Sequence, residues 1–143
     1  QADRTAAALR AHLQAQGPVL ATIAAGLGDD TVVVGRPVRS ALLAGAWHDG
    51  PVLRIGSSAH RLPPHFGQAA AQAVEDATVL HDLLRQGLGC GPLLEQFMRR
   101  RGARARRVHV VATQAAHWDL NPEPSTDLVA LALRLAPIVE RAA

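Results

Sequence analysis

The sequence predicts an α/β chain that is mainly helical, with a few short strands. Three observations lead there. Apolar residues recur at helical spacing in residues 3–16, 69–86, 92–115 and 126–138. The β-branched and aliphatic runs suited to strands are short, at residues 31–34 and 52–55. Glycine and proline gather between the periodic segments, at 17–18, 87–92 and 121–124, where they interrupt helices.

Residues 3–16 read as a helix with Ala6, Leu9 and Leu13 on one stripe, ended by Gly17-Pro18. Residues 18–25 form a second, short helix with Pro18 in its first turn. Asp29-Asp30 is a turn, and residues 31–34 follow as a strand. Residues 38–43 fit either a strand or a helix. Val52, Leu53 and Ile55 mark a short buried strand. A long helix runs from about residue 69 to 86, with Ala73, Ala77, Leu80 and Leu84 on its buried face and Gly87 as its stop. The next runs from 92 to about 115 and carries Leu94, Phe97, Met98, Val108 and Val111. Residues 121–124 break the chain. Ser125 or Thr126 then caps a final helix with Leu128, Leu131, Leu135 and Ile138.

At 143 residues the length fits one domain. Apolar residues make up 48% of the chain, which argues against disorder, while aromatics at 3% leave Leu, Val and Ala to build the core. All fifteen basic residues are arginine. No apolar run reaches the length of a membrane span, and the opening residues lack a signal-peptide core. Cys90 is the single cysteine, so no intramolecular disulfide can form. A cytoplasmic location is the expectation.

Six arginines between residues 99 and 107 suit phosphate contacts, but no aromatic residues interleave with them for base stacking. They read as a solvated helix face that pairs with local acids, and no nucleic-acid partner is expected. Of the seven histidines, His60 and His65 could join Asp76 or His81 around a metal, but tight ligand pairs and a helical His-x-x-x-His are both missing. No metal site is expected. Ser57-Ser58 lacks the Gly-x-Ser-x-Gly elbow of a hydrolase.

The most informative stretch is 51–77, PVLRIGSSAHRLPPHFGQAAAQAVEDA. A strand ends in the tiny residues Gly56, Ser57, Ser58 and Ala59; His60, Pro63-Pro64 and Gly67-Gln68 follow, and a helix opens on three alanines. Small residues let backbone approach a ligand, and a helix N-terminus aims free N–H groups and positive potential at it. This order resembles the third flavin-contacting motif of the class A FAD-dependent (p-hydroxybenzoate hydroxylase-like) monooxygenases. That pattern is Gly-Asp-x-x-His, then Pro-Pro and Gly-Gln-Gly, ahead of a helix carrying Glu-Asp-Ala, here Glu75-Asp76-Ala77. Trp47-His48-Asp49-Gly50, Arg36-Pro37 and the arginine-rich segment up to Arg107-Val108 resemble flanking parts of the same family.

The resemblance implies the C-terminal part of an FAD/NAD(P)-binding fold. Residues 1–46 would be the tail of a substrate-binding region, and 47–143 the C-terminal part of an FAD-binding domain with terminal helices. It implies FAD as cofactor, held by Gly56, Ser57, Pro63, Pro64, Gly67, Gln68, Ala69 and Ala70, and NAD(P)H as reductant. His65 and Phe66 would border the pocket of a small substrate, aromatic or polyketide-like. The helix N-terminus would stabilise negative charge at the flavin's pyrimidine edge. His60 would hold loop backbone, and no residue is assigned as catalytic.

Two positions depart from the pattern. Ser57 replaces the family's aspartate, losing a charge-assisted bond to the ribityl hydroxyls, and Ala69 replaces its last glycine. Gly26-Leu27-Gly28 and 87–91 are not a Gly-x-Gly-x-x-Gly dinucleotide turn in the right setting. The expectation is therefore a monooxygenase portion that an N-terminal ADP-binding half completes, or that self-associates through an exposed apolar face. The alternative is a flavin-free homologue acting as a small-molecule binder, a cyclase or an interaction domain.

Overall fold

The structure is a computed structural model that describes residues 5–141. Their contacts divide the chain into two compact units, Gln1–Pro37 and Val38–Ala143.

The first unit is a helical pair, α1 (Ala6–Gln14) and α2 (Pro18–Ala25). The Ala8 amide donates to Thr5 Oγ1 at 3.1 Å, capping α1; residues 3 and 4 of the expected helix lie outside the described residues. Gly17 takes φ +113° to turn between the helices, and Pro18 opens α2 where no N–H is needed. Arg10 ties α1 to the loop after α2 through Leu27 O at 3.1 Å and Asp29 Oδ1 at 2.8 Å. Residues 31–34, expected as a strand, are not one. Burial alternates along them as in extended chain, with Val32 and Val34 exposed, but no second strand among the described residues pairs with them.

Among the described residues the second unit holds four two-residue strands and three helices. The strands are β1 (Ala41–Leu42), β2 (His48–Asp49), β3 (Val52–Leu53) and β4 (His60–Arg61). Strands β2 and β3 form a hairpin in the register His48↔Leu53 and Asp49↔Val52, with Gly50 at φ +51° in its turn. Strand β1 pairs antiparallel with β4, Ala41 opposite Arg61 and Leu42 opposite His60, so the ambiguous segment 38–43 is extended where it pairs. The expected strand at 52–55 stops early, because the chain enters a 3-10 turn over Gly56–Ser58.

Helix α3 (Gln68–Leu84) packs on α4 (Cys90–Leu120), and α4 packs on α5 (Leu128–Val139). The buried face of α3 is one position away from the expected stripe. Gln72, Asp76, Val79 and Leu83 are inside, whereas Ala77 and Leu84 are exposed. Helix α4 is longer than expected at both ends and spans two apolar clusters. Phe97, Leu93 and Leu94 join Trp47, Val79 and Leu83 in one, and Val108, Val111, Ala112 and Ala115 join Leu62, Leu131 and Leu135 in the other. Helix α5 is capped by Asp127, whose carboxylate accepts from the Ala130 amide at 2.8 Å; Thr126 instead accepts from Glu123 N at 2.9 Å. Among the described residues no helix is long and apolar enough to cross a membrane.

Candidate functional site

The segment 56–70 is built outward from one buried carboxylate. Asp76 Oδ2 accepts from the Gly56 amide at 2.8 Å and meets His60 Nε2 at 2.6 Å, while Oδ1 accepts from Arg101 Nε at 2.7 Å. Burial alone would raise the Asp76 carboxyl. The bonds from His60, Gly56 and Arg101 outweigh it and hold the group below its ordinary 3.8. An ionised Asp76 in turn requires a His60 proton on Nε2, and the buried Nδ1 has no hydrogen-bond partner among the described residues. The His60 ring lies 5.2 Å from Trp47, so it holds the loop between core and α3.

Arg101 completes this cluster. Its Nη2 donates to Gln72 Oε1 at 2.8 Å, and its Nη1 lies 2.7 Å from Glu75 Oε2, an ion pair off the hydrogen-bond line. Glu75 also pairs with Arg104. Arg101 is 0% exposed and Arg104 8%, so two of the arginines expected on a solvated face are interior. They sit on α4 between the two apolar clusters. The pairing with local acids holds; the exposure does not. The signal in the sequence was the stripe Phe97, Arg101, Arg104, Val108, where arginines occupy core positions opposite Gln72 and Asp76.

Gly56 is fixed by two requirements. Its φ is +56°, and a Cβ there would stand 3.1 Å from Ala73 Cβ on α3. Ser57 beside it is exposed, and its hydroxyl bonds to no described residue. Pro63 is buried, whereas Pro64 is exposed. Phe66 and Gly67 then take φ +63° in succession, a left-handed pair that swings the chain into α3. The left-handed setting is strained for phenylalanine, and the packing of Phe66 against the α4–α5 cluster holds it there. Gln68 braces the turn by donating from Nε2 to Phe66 O at 3.2 Å.

Of the expected flavin contacts, Ser57, Pro64, Gly67 and Ala70 are exposed, Gln68 and Ala69 are half-buried, and Gly56 and Pro63 lie beneath the surface. Ala69 packs against the α4–α5 cluster. The structure thus seats the two segments, 56–58 and 65–70, on the first half of α3. The start of α3 has no side-chain cap and no acid in its first turn, so no charge of its own first turn offsets its positive end. His65 Nε2 lies 3.5 Å from Asp119 Oδ2 near the end of α4, and its side chain is half-buried. A concavity of about 480 Å³ lies elsewhere, lined by Gly45, Ala46, His48, Glu95, Met98 and Arg99.

A second polar cluster joins Ser40 Oγ to His109 Nε2 at 2.8 Å and to Thr113 Oγ1 at 3.0 Å. Burial, with the charge of His60 in support, pushes His109 below its ordinary 6.5. No carboxylate among the described residues bonds to His109, so the contact is not a hydrolase triad. Among the described residues no group of three or more His, Cys, Asp or Glu side chains could hold a metal ion.

No family model and no solved structure matches the chain. Curated proteins do. Over 74 residues it is 39% identical to 3-amino-4-hydroxybenzoate 2-monooxygenase PtmB3 of Streptomyces platensis, covering 51% of this chain and 19% of that relative. Over 81 residues it is 33% identical to the putative FAD-dependent monooxygenase YetM of Bacillus subtilis, covering 57% of this chain and 22% of that relative. Over 40 residues it is 45% identical to FAD-dependent monooxygenase paxM of Penicillium paxilli, covering 28% of this chain and 8% of that relative. The matches thus span from 28% to 57% of this chain and from 8% to 22% of each relative's own length. In that matched part the chain is similar to proteins named as FAD-dependent monooxygenases.

Proposed function

We propose that residues 47–143 are the ring-side, C-terminal part of the FAD-binding domain of a monooxygenase, and that residues 1–46 are the tail of its substrate-binding region. The reading takes an ADP-binding N-terminal part, on this or another polypeptide, to complete the cofactor site. Its substrate is a small molecule, aromatic or polyketide-like, and its reductant is NAD(P)H. The observation that carries it is the uncapped, acid-free start of α3, presented by the left-handed turn at Phe66-Gly67 and edged by small exposed residues. That surface fits a planar group with an anionic edge.

Ser57 would hold a ribityl hydroxyl, Pro64, Gly67 and Ala70 would face the ring, and the α3 amides would take negative charge at its pyrimidine edge. Gly56 and Pro63 would shape this surface from beneath. His65 and Phe66 would border the substrate. FAD, when bound, supplies the redox chemistry by which one oxygen atom of O₂ enters the substrate. Within the chain, the Gly56–Asp76–His60 tie keeps the loop against α3, so the ring-facing backbone is positioned before any ligand arrives.

The test is FAD titration of the chain alone and joined to an ADP-binding half, followed by absorbance and flavin fluorescence. The isolated chain should bind weakly, because Ser57 supplies no charge. In the joined protein Ser57→Asp should tighten FAD by about one to two decades, for a charged hydrogen bond worth about 1–3 kcal/mol. Tight stoichiometric FAD on the isolated chain would refute the two-part reading. Lost stability without flavin gain in Ser57→Asp would favour the second reading, a flavin-free binder, cyclase or interaction domain, which the serine at position 57 supports.

A further inference from the structure

The second unit carries a pocket that the flavin reading leaves unused. Along α4, Arg99, Ala103 and Arg107 stand four residues apart in one row, with Arg100 and Arg104 on the row beside it. Pro137, Ile138 and Arg141 at the end of α5 close the other side, and a cavity of about 250 Å³ lies between. Ala103 is the smallest side chain that lines it. A longer side chain in the middle of the row would fill its floor.

Five guanidinium groups therefore line a single small space. Arg104 is held by Glu75, which Arg101 also shares, and Arg100 already has a partner. Arg99, Arg107 and Arg141 are exposed, and none forms an ion pair with a described residue. Glu140 lines the adjoining groove, and the C-terminal carbonyls of α5 offset part of the field. Positive charge still exceeds negative, and a multivalent anion would relieve the repulsion. Guanidinium forks match the oxygens of a phosphate group and bind them with short, charge-assisted bonds.

We propose that this pocket binds a phosphate- or diphosphate-bearing small molecule, with Arg99, Arg107 and Arg141 contacting its oxygens and Arg100 and Arg104 strengthening the field. A nucleic-acid strand is the poorer fit. The space is concave and bounded on one side by α5, and no aromatic side chain lines it for base stacking. The inference is independent of flavin, which the test does not need.

The experiment is calorimetric titration of the full chain with inorganic pyrophosphate in low and high salt. One-site binding that weakens as salt screens the arginines is expected. Arg107→Gln should weaken it about tenfold or more, the loss of one charge-assisted contact. Ala103→Leu, which keeps every charge but fills the floor, should weaken it as well. Arg85→Gln, exposed at the end of α3, should leave it unchanged. Positions 103 and 107 are exposed, so both variants should fold, and their melting curves check this. Absence of saturable binding would overturn the proposal. So would wild-type affinity in Ala103→Leu, which would mean diffuse charge without a pocket. An oligonucleotide that binds while pyrophosphate fails to displace it would overturn it in favour of a polymer.

Discussion

Asp76 and Arg101 meet at 2.7 Å with neither side chain exposed to solvent, one from α3 and the other from α4. Two apolar clusters lie to either side, so the joint between them is ionic. A buried pair of this kind is costly to assemble and costlier to break by halves, because removing one partner strands the other charge.

Arg101→Met should therefore destabilise the protein by about 3–5 kcal/mol, and Asp76→Asn by a similar amount. Replacing both by apolar residues should cost much less than the sum. Urea denaturation of the two single variants and the double variant measures this. Additive losses would show that the two side chains do not act as a unit.

Acid should loosen the fold in two steps. His109 is held below 6.5, so the folded chain binds fewer protons than the unfolded chain, and its contribution is complete above pH 6.5 and lost as pH falls through the lower folded value. Asp76 is held below 3.8, so its contribution is complete above pH 3.8 and disappears under it. Urea midpoints measured against pH should fall in both windows. His109→Gln, which can still reach Ser40, should flatten the first and spare the second.

Gly56→Ala should cost more than Gly67→Ala, although both residues have positive φ. Each substitution carries about 1–2 kcal/mol of left-handed strain. Only Gly56 also presses on a neighbour, Ala73 Cβ at 3.1 Å, whereas a Cβ at Gly67 meets nothing within 4 Å. Equal losses in chemical denaturation would mean that the turn moves freely away from α3.

Val52 on β3 and Val74 and Leu84 on α3 are 61–66% exposed, apolar surface that a second chain could cover. Self-association, or dependence on a second chain, is the expected behaviour. Light scattering across a wide concentration range should show it, and Val74→Glu with Leu84→Glu should reduce it. A clean monomer that binds no apolar dye would contradict the expectation.

Much of the helical part was legible because Phe97, Val108, Val111, Leu131 and Leu135 repeat at helical spacing and are all buried. Glycines at 56 and 67 announced their turns through the small residues around them. Three features were hidden. Val32 and Val34 carry strand propensity, but pairing depends on a neighbour that local sequence does not supply. The cap of α5 passed from Ser125 or Thr126 to Asp127, a shift of one or two residues that propensity does not resolve. The buried face of α3 was hidden because hydrophobicity does not reveal where polar side chains pair with one another in the interior. Gln72 and Asp76 look like surface residues until Arg101 is placed opposite them.

The polar face of α3 bears on any redesign of the chain. Helix α3 carries two stripes that could both face a core, and hydrophobicity alone would choose Ala73, Ala77, Leu80 and Leu84. The two stripes differ by about 100° of helix rotation. The ionic joint acts as an index pin that selects the other setting. Swapping it for well-packed apolar residues would enlarge the core and, in the same stroke, free α3 to roll onto its second stripe. The turn at Gly56 and the helix start at Gly67 would then no longer line up. In this protein, a gain in stability at that position would come at the expense of the surface it holds in place.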